Sequence, residues 1–148
     1  MKIKLVFFSL LLLTIGCKSD DDSIKNEEIK IALNPPEWIK GVWIDETLTE
    51  NGDFGWKFTD DDAIWIIGGS ESFSLKSRAQ YEIDISSQAN NQNDVLRETF
   101  GENFYKITEI SYDGGYLESD YYFEKENNSI IIWKSGPGFE DYVLTKRQ

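Results

Sequence analysis

The sequence has no histidine, one cysteine, one methionine and three prolines. Without histidine there is no imidazole base, no Ser-His-Asp relay and no histidine-ligated metal. A single cysteine excludes an internal disulfide, a CxxC pair and a thiolate zinc site. Positive charge is scarce too: 15 Lys and Arg stand against 27 Asp and Glu, a formal net charge of −12. Nucleic-acid phosphates demand a basic patch, so a nucleic-acid partner is excluded. No P-loop, G-x-S-x-G or G-x-G-x-x-G stands in the chain, so phosphate cradles and nucleophile elbows are absent as motifs. What is abundant is aromatic: 5 Trp, 7 Tyr and 9 Phe make up 14% of 148 residues. That length suits one ordinary domain.

The start of the chain reads as an address. Met1-Lys2-Ile3-Lys4 carries two positive charges, and Leu5 to Ile15 is apolar apart from Ser9 and Thr14. As a helix this run spans about 16 Å, half of a bilayer core of about 30 Å. It is too short to remain as a membrane span and fits the apolar region of a secretory signal peptide over residues 1–16. The next residue is Cys17, the lone cysteine.

Leu13-Thr14-Ile15-Gly16-Cys17 resembles a bacterial lipobox, with Thr14 where that motif usually has Leu and with Leu13 one place earlier. The resemblance implies cleavage before Cys17 and lipidation of its thiol and amine, palmitate among the acyl chains. Two or three such chains, at about 0.8 kcal/mol per buried CH₂, hold a protein stably on a membrane. Lys18-Ser19-Asp20-Asp21-Asp22 follows and resembles the acidic export signal of Bacteroidetes-type lipoproteins. That implies an outer-membrane lipoprotein, anchored by lipid and exposed on the cell surface. Residues 17–34 are polar, with mixed charge, and are expected to form a flexible tether of about 20–25 Å. Pro35-Pro36 marks the start of the folded part, residues 35–148.

That part reads as short antiparallel strands between turns. Apolar or alternating runs cover 38–45, 55–59, 63–67, 71–77, 79–85, 103–111, 117–124, 129–134 and 139–146. Asn51-Gly52, Gly68-Gly69, Gly114-Gly115 and Gly136-Pro137-Gly138 supply turns. In 79–85, Tyr81, Ile83 and Ile85 alternate with Glu82 and Asp84, which predicts a strand. Asp94 to Glu98 reads as one helical turn with Asp94 as its N-cap. Connections this short leave no room for crossover helices. The expectation is an all-β domain, a single antiparallel up-and-down barrel of eight strands, with a β-sandwich as the alternative.

Gly41-Val42-Trp43 lies in the first of these runs and resembles the G-x-W of lipocalins and their bacterial lipocalin-like relatives. The resemblance implies a barrel whose closed end is crossed by Trp43, beneath a cation from the last strand, here Lys146 or Arg147.

Function is expected to be binding, not catalysis. Aromatic side chains combine a large apolar face with a polar tip and suit a ligand wall. Trp43, Trp56, Tyr81, Tyr105 and Tyr121 are the candidate ligand-binding residues, for a small hydrophobic or aromatic molecule in the barrel, with a place in the packed core as the alternative for each; Trp65 and Trp133 add to the aromatic surplus. Tyr116 and Tyr122 are candidates for a surface patch. Asp60-Asp61-Asp62 lacks the spacing of an EF-hand loop and reads as a solvated turn. No cofactor or metal is called for, and a monomer is expected. The alternative function is a protein–protein interaction module of the cell envelope, its acidic face meeting a basic partner. A hydrolase built on Glu118 and Asp120 is the third reading, but both face solvent on the strand pattern, with nothing to raise the pKa of a general acid.

Replacing Cys17 with Ser is expected to abolish incorporation of labelled palmitate, and a wild-type protein whose Cys17 thiol is unmodified contradicts the anchor. Replacing Asp20, Asp21 and Asp22 with Ala is expected to remove sensitivity to protease added outside whole cells.

Overall fold

The computed structural model describes residues 29–148. The expected signal peptide, Cys17 and the tether as far as residue 28 lie outside the described residues.

Two glycines set the geometry of the first strands, β1 (Gly41–Ile44) and β2 (Gly55–Phe58). A Cβ on Gly55 would lie 1.9 Å from the Trp43 carbonyl oxygen, so no other residue permits this approach of the two backbones. Gly41 has φ +119°, and a Cβ there would press on Lys146 Cε at 3.0 Å. With no side chain at Gly41, Lys146 reaches across and sets its ammonium 5.1 Å from the centre of the Trp43 ring, a cation–π contact. The Trp43 indole donates to the Ile39 carbonyl just before β1. Arg147 instead forms a forked ion pair with Asp53.

The chain continues through β3 (Ala63–Ile67) and β4 (Ser70–Ser74), helix α1 (Leu75–Ile85) and one helical turn α2 (Gln92–Val95). Strands β5 (Leu96–Phe100), β6 (Phe104–Ser111), β7 (Leu117–Lys125), β8 (Ile130–Lys134) and β9 (Tyr142–Lys146) complete it. All nine strands join one antiparallel sheet in the order β4-β3-β2-β1-β9-β8-β7-β6-β5. The all-β class and the meander are therefore as expected, but the sheet has nine strands and two unjoined ends, β4 and β5, where a closed ring of eight was expected. It curls as a half-barrel. The reason is the register, which places Trp43 opposite Trp56, Trp56 opposite Trp65, and Tyr105 and Trp133 opposite Phe123. Paired residues share a face, and these large rings can be covered only by rolling that face onto itself.

The rolled interior is filled. Trp43, Trp56, Tyr105, Phe123, Ile107 and Leu144 are all fully buried. The Trp56 ring stacks on Trp65 at 5.9 Å and meets Tyr121, Phe123 and Trp133 edge-on at 5.2–5.5 Å. Edge-to-face contacts between rings from strands this far apart add to the burial itself, at about 0.5–1.5 kcal/mol each.

Residues 79–85 are helical where a strand was expected. The buried residues of α1 are Leu75, Ala79 and Glu82, a 3.6-residue spacing, and the apolar alternation was incidental: Tyr81 and Ile85 face solvent. Two caps start the helix. Ser74 accepts from the Ser77 N–H at 2.9 Å, and the buried Asp62 carboxylate accepts from the Lys76 N–H at 3.0 Å. Asp62 also takes the Ser74 hydroxyl and the Ala63 N–H. The Asp60–Asp62 turn is thus partly structural, with Asp60 on Lys40 and Asp61 on Lys76. Downstream, Asn91 rather than Asp94 is the N-cap of α2; Asp94 completes its capping box, and the residues after Val95 pass straight into β5.

Helix α1 lies between the two sheet ends and is fastened to β6. Glu82 is buried and accepts from the Ser111 hydroxyl at 2.6 Å and the Tyr112 N–H at 3.0 Å. Residues 29–34, expected as the end of a tether, belong to the packed body. Ile31 and Leu33 are buried, Leu33 N–H donates to the Asp61 carbonyl, and Ala32 exchanges two hydrogen bonds with the Gln92 amide. Their apolar side chains fill the seam that a closing pair of strands would otherwise cover. Among the described residues no helix is long and apolar enough to cross a membrane.

Stability measurements separate this helix from the expected strand. Tyr81→Ala is expected to change the urea unfolding free energy by less than about 0.5 kcal/mol. Trp56→Ala is expected to cost about 3–5 kcal/mol.

Candidate functional site

One end of the half-barrel carries an aromatic cleft. It opens where β3, β7 and β8 approach the loop 135–141 and Phe54 just before β2. Its volume is about 270 Å³, walled by Phe54, Trp65, Tyr121, Trp133, Phe139 and Tyr142. Trp133 and Tyr142 are directly opposed in the β8–β9 pair and stack at 4.8 Å. Phe54 stacks on Trp133 at 6.0 Å and leans on Tyr142 at 5.2 Å, while Trp65 meets Trp133 edge-on at 5.8 Å. The wall is therefore a continuous set of ring faces, of which Phe139 is the outermost at 78% exposure.

Polar groups edge this wall, each with a partner. Lys134 lies 3.0 Å from Asp141 and 3.1 Å from Glu124; its hydrogen bonds to these two carboxylates hold its ammonium above the usual lysine range. Burial works against ionisation of Asp120, but hydrogen bonds from Lys106 and Thr108 outweigh it and hold that carboxyl below the usual range. The Tyr121 hydroxyl donates at 2.9 Å to Glu109, a carboxylate only 3% exposed. Burial, then the Glu109 charge, raises the Tyr121 phenol above its ordinary range.

The five expected ligand residues are not brought together. Tyr121 lines the cleft. Trp56 and Tyr105 are fully buried within the filled interior, and Trp43 lies beneath Lys146 with its indole turned toward the start of β1. The Tyr105 hydroxyl donates to Glu98 at 2.6 Å, and burial followed by that carboxylate raises its phenol strongly. Tyr81, on α1, is 56% exposed and borders a different cleft. Phe54, Phe139 and Tyr142 were missed. Their signal lies in position along the strand: each adjoins a turn at the same end of the sheet, whereas alternation reports only which face a residue takes.

The expected surface tyrosines divide. Tyr116 is 63% exposed beside Tyr112, at 5.9 Å, and Tyr122 is half-buried, stacked on Phe104 at 5.8 Å. Glu118 is engaged by Arg97 and the Tyr116 hydroxyl, and Asp120 by Lys106 and Thr108. Among the described residues no three Cys, Asp or Glu gather as a metal-binding group.

No protein-family model matches the chain, and neither a curated protein nor a solved structure matches it. The site has to be interpreted from its own chemistry.

The buried phenols give a pH signature. Their folded-state pKa values lie above the unfolded value near 10, so the stability they contribute is present below about pH 10 and is lost as pH rises past it. Absorbance at 295 nm is expected to show Tyr105 and Tyr121 ionising only as the sheet circular dichroism is lost. Ionisation of all seven tyrosines near pH 10 with the sheet intact contradicts this burial.

Proposed function

We propose that this chain is a non-enzymatic lipoprotein of the outer membrane, probing the cell exterior from a lipid anchor at Cys17. Its lipocalin-like body binds one small hydrophobic or aromatic molecule at the aromatic end. The observation that carries this reading is the stacked wall of Trp133, Tyr142 and Phe54 opening on a cleft of about 270 Å³. Ligand pockets are mostly apolar with a few polar groups at the edge, and run from about 300 Å³ upward. This one lies at the small end, which suits a single ring system. The ligand lies on top of the packed interior, not within it. The Gly41-Val42-Trp43 motif with Lys146 over the indole supports the lipocalin-like assignment. Anchor and export rest on Lys2, Lys4, the Leu5–Ile15 run, Cys17 and Asp20–Asp22.

A second reading, an interaction module, draws on exposed apolar side chains around the same end. Leu48 and Phe139, which border one shallow pocket with Tyr142, are 43% and 78% exposed, and the net charge of −12 favours a basic partner.

Native mass spectrometry of the lipoprotein purified from its source decides between them. A retained small molecule that is lost in Tyr142→Asp is the expected result, since the new carboxylate breaks the apolar wall. Protein that carries nothing, and whose tryptophan emission is unmoved by 1-naphthol, contradicts ligand binding. A retained polypeptide favours the second reading.

A further inference from the structure

A larger cleft, of about 570 Å³, lies on the other side of Glu109 from the aromatic end, between β4, α1 and the turn after β6. Ser72, Phe73, Ser77, Arg78, Tyr81 and Asp113 border it. Its one cation is held in an unusual way. The Arg78 guanidinium lies 5.1 Å over the Phe73 ring, and its Nε is 2.7 Å from Glu109 Oε1. That ion pair is the one contact this buried carboxylate oxygen makes with a donor among the described residues. Among the described residues Arg78 has no acceptor besides Glu109: ring and ion pair fix it in place, and its forked Nη edge has no partner. A guanidinium edge of this kind takes a carboxylate through two parallel hydrogen bonds.

The other groups restrict what that carboxylate can belong to. Glu109 already balances Arg78. Glu82 borders the cleft as a further buried carboxylate, with both oxygens engaged by Ser111 and Tyr112. Asp113 is exposed and has neither hydrogen bond nor ion pair among the described residues. A plain anion meets more carboxylates than cations here, and a plain cation leaves the Arg78 fork without an acceptor. A molecule with both charges satisfies both. Tyr81, more than half exposed on α1, offers a ring face to an apolar substituent.

We propose that this cleft is a binding site for a small zwitterion of the α-amino acid class. The carboxylate lies on the Arg78 fork, the ammonium faces Asp113, and the side chain lies along Tyr81. The site is separate from the aromatic cleft and stands whether or not that cleft binds a ligand.

Three matched probes test it on the intact purified lipoprotein by saturation-transfer NMR: L-phenylalanine, 3-phenylpropanoate, which lacks the ammonium, and phenethylamine, which lacks the carboxylate. L-phenylalanine is expected to bind, with each truncated probe at least about tenfold weaker, the scale of one lost charge-assisted contact. Asp113→Asn alters an exposed side chain and leaves the fold intact. It is expected to weaken L-phenylalanine to the level of 3-phenylpropanoate and to leave 3-phenylpropanoate unchanged. Arg78→Gln is expected to abolish binding of the amino acid, and Tyr142→Asp at the aromatic cleft to leave it unchanged. The proposal is overturned by absence of L-phenylalanine binding up to about 10 mM, by equal binding of a truncated probe, or by indifference to Asp113→Asn.

Discussion

The indole of Trp56 is where the two arms of the sheet meet. It belongs to β2, yet it is packed edge-on against Tyr121, Phe123 and Trp133 from β7 and β8, strands on the far side of β1 and β9 in the sheet order. A flat sheet could not bring these rings within 5.2–5.5 Å, so the curl and the ring cluster are one constraint. Large rigid rings also leave little free volume once interdigitated. An eight-strand barrel is just wide enough for its side chains to fill it or for one small ligand. Here the side chains fill a curl of nine strands. The two clefts lie where that packing ends: the rim above Trp133, and the seam beside α1.

The seam shows how a sheet that does not join its ends covers its core. Between β4 and β5 stand α1 and the segment 29–34, fastened by carboxylates as well as by the buried Ile31, Leu33, Leu75 and Ala79. Asp62 caps α1 from the β2–β3 turn; Glu82 ties α1 to the end of β6; Glu98 receives both the Asn34 N–H and the Tyr105 hydroxyl. Part of the acidic excess of the chain is thus internal. A buried carboxylate is tolerated when donors surround it, and removal of one donor or of the carboxylate strands the rest at about 1–3 kcal/mol per group. Glu109 differs from these. It joins the Tyr121 hydroxyl on the aromatic side to Arg78 on the polar side, one oxygen to each.

Much of this was legible before the structure. Runs such as Gly55–Phe58, Ala63–Ile67 and Ile130–Lys134 are strands at nearly the bounds their composition suggests, since glycine and Asn or Asp turns punctuate them. Of the two cations that the G-x-W resemblance implied, Lys146 and Arg147, it is Lys146 that lies over Trp43. What misled was residues 71–98. Tyr81, Ile83 and Ile85 alternate like a strand, but the helix leaves Tyr81 and Ile85 exposed and buries Glu82 beside a half-buried Ile83, and a buried carboxylate does not look apolar in sequence. The strand Leu96–Phe100 was obscured by the good capping chemistry just before it. At the site, alternation identified inward-facing aromatics correctly for Trp56, Tyr105 and Tyr121. It is blind to height along the barrel axis, which decides whether an inward ring is core or wall.

Hydrogen exchange at the tryptophan indoles tests the filled interior most directly. The Trp43 and Trp56 side chains are both fully buried, one bonded to Ile39 and the other enclosed by rings. Their indole N–H signals in a ¹H–¹⁵N spectrum should exchange with solvent only through global unfolding, slowing in step with measured stability. Rapid exchange at Trp56 under native conditions would mean a hydrated lumen, and both the packing at the centre of the curl and the confinement of the clefts to its edges would be wrong.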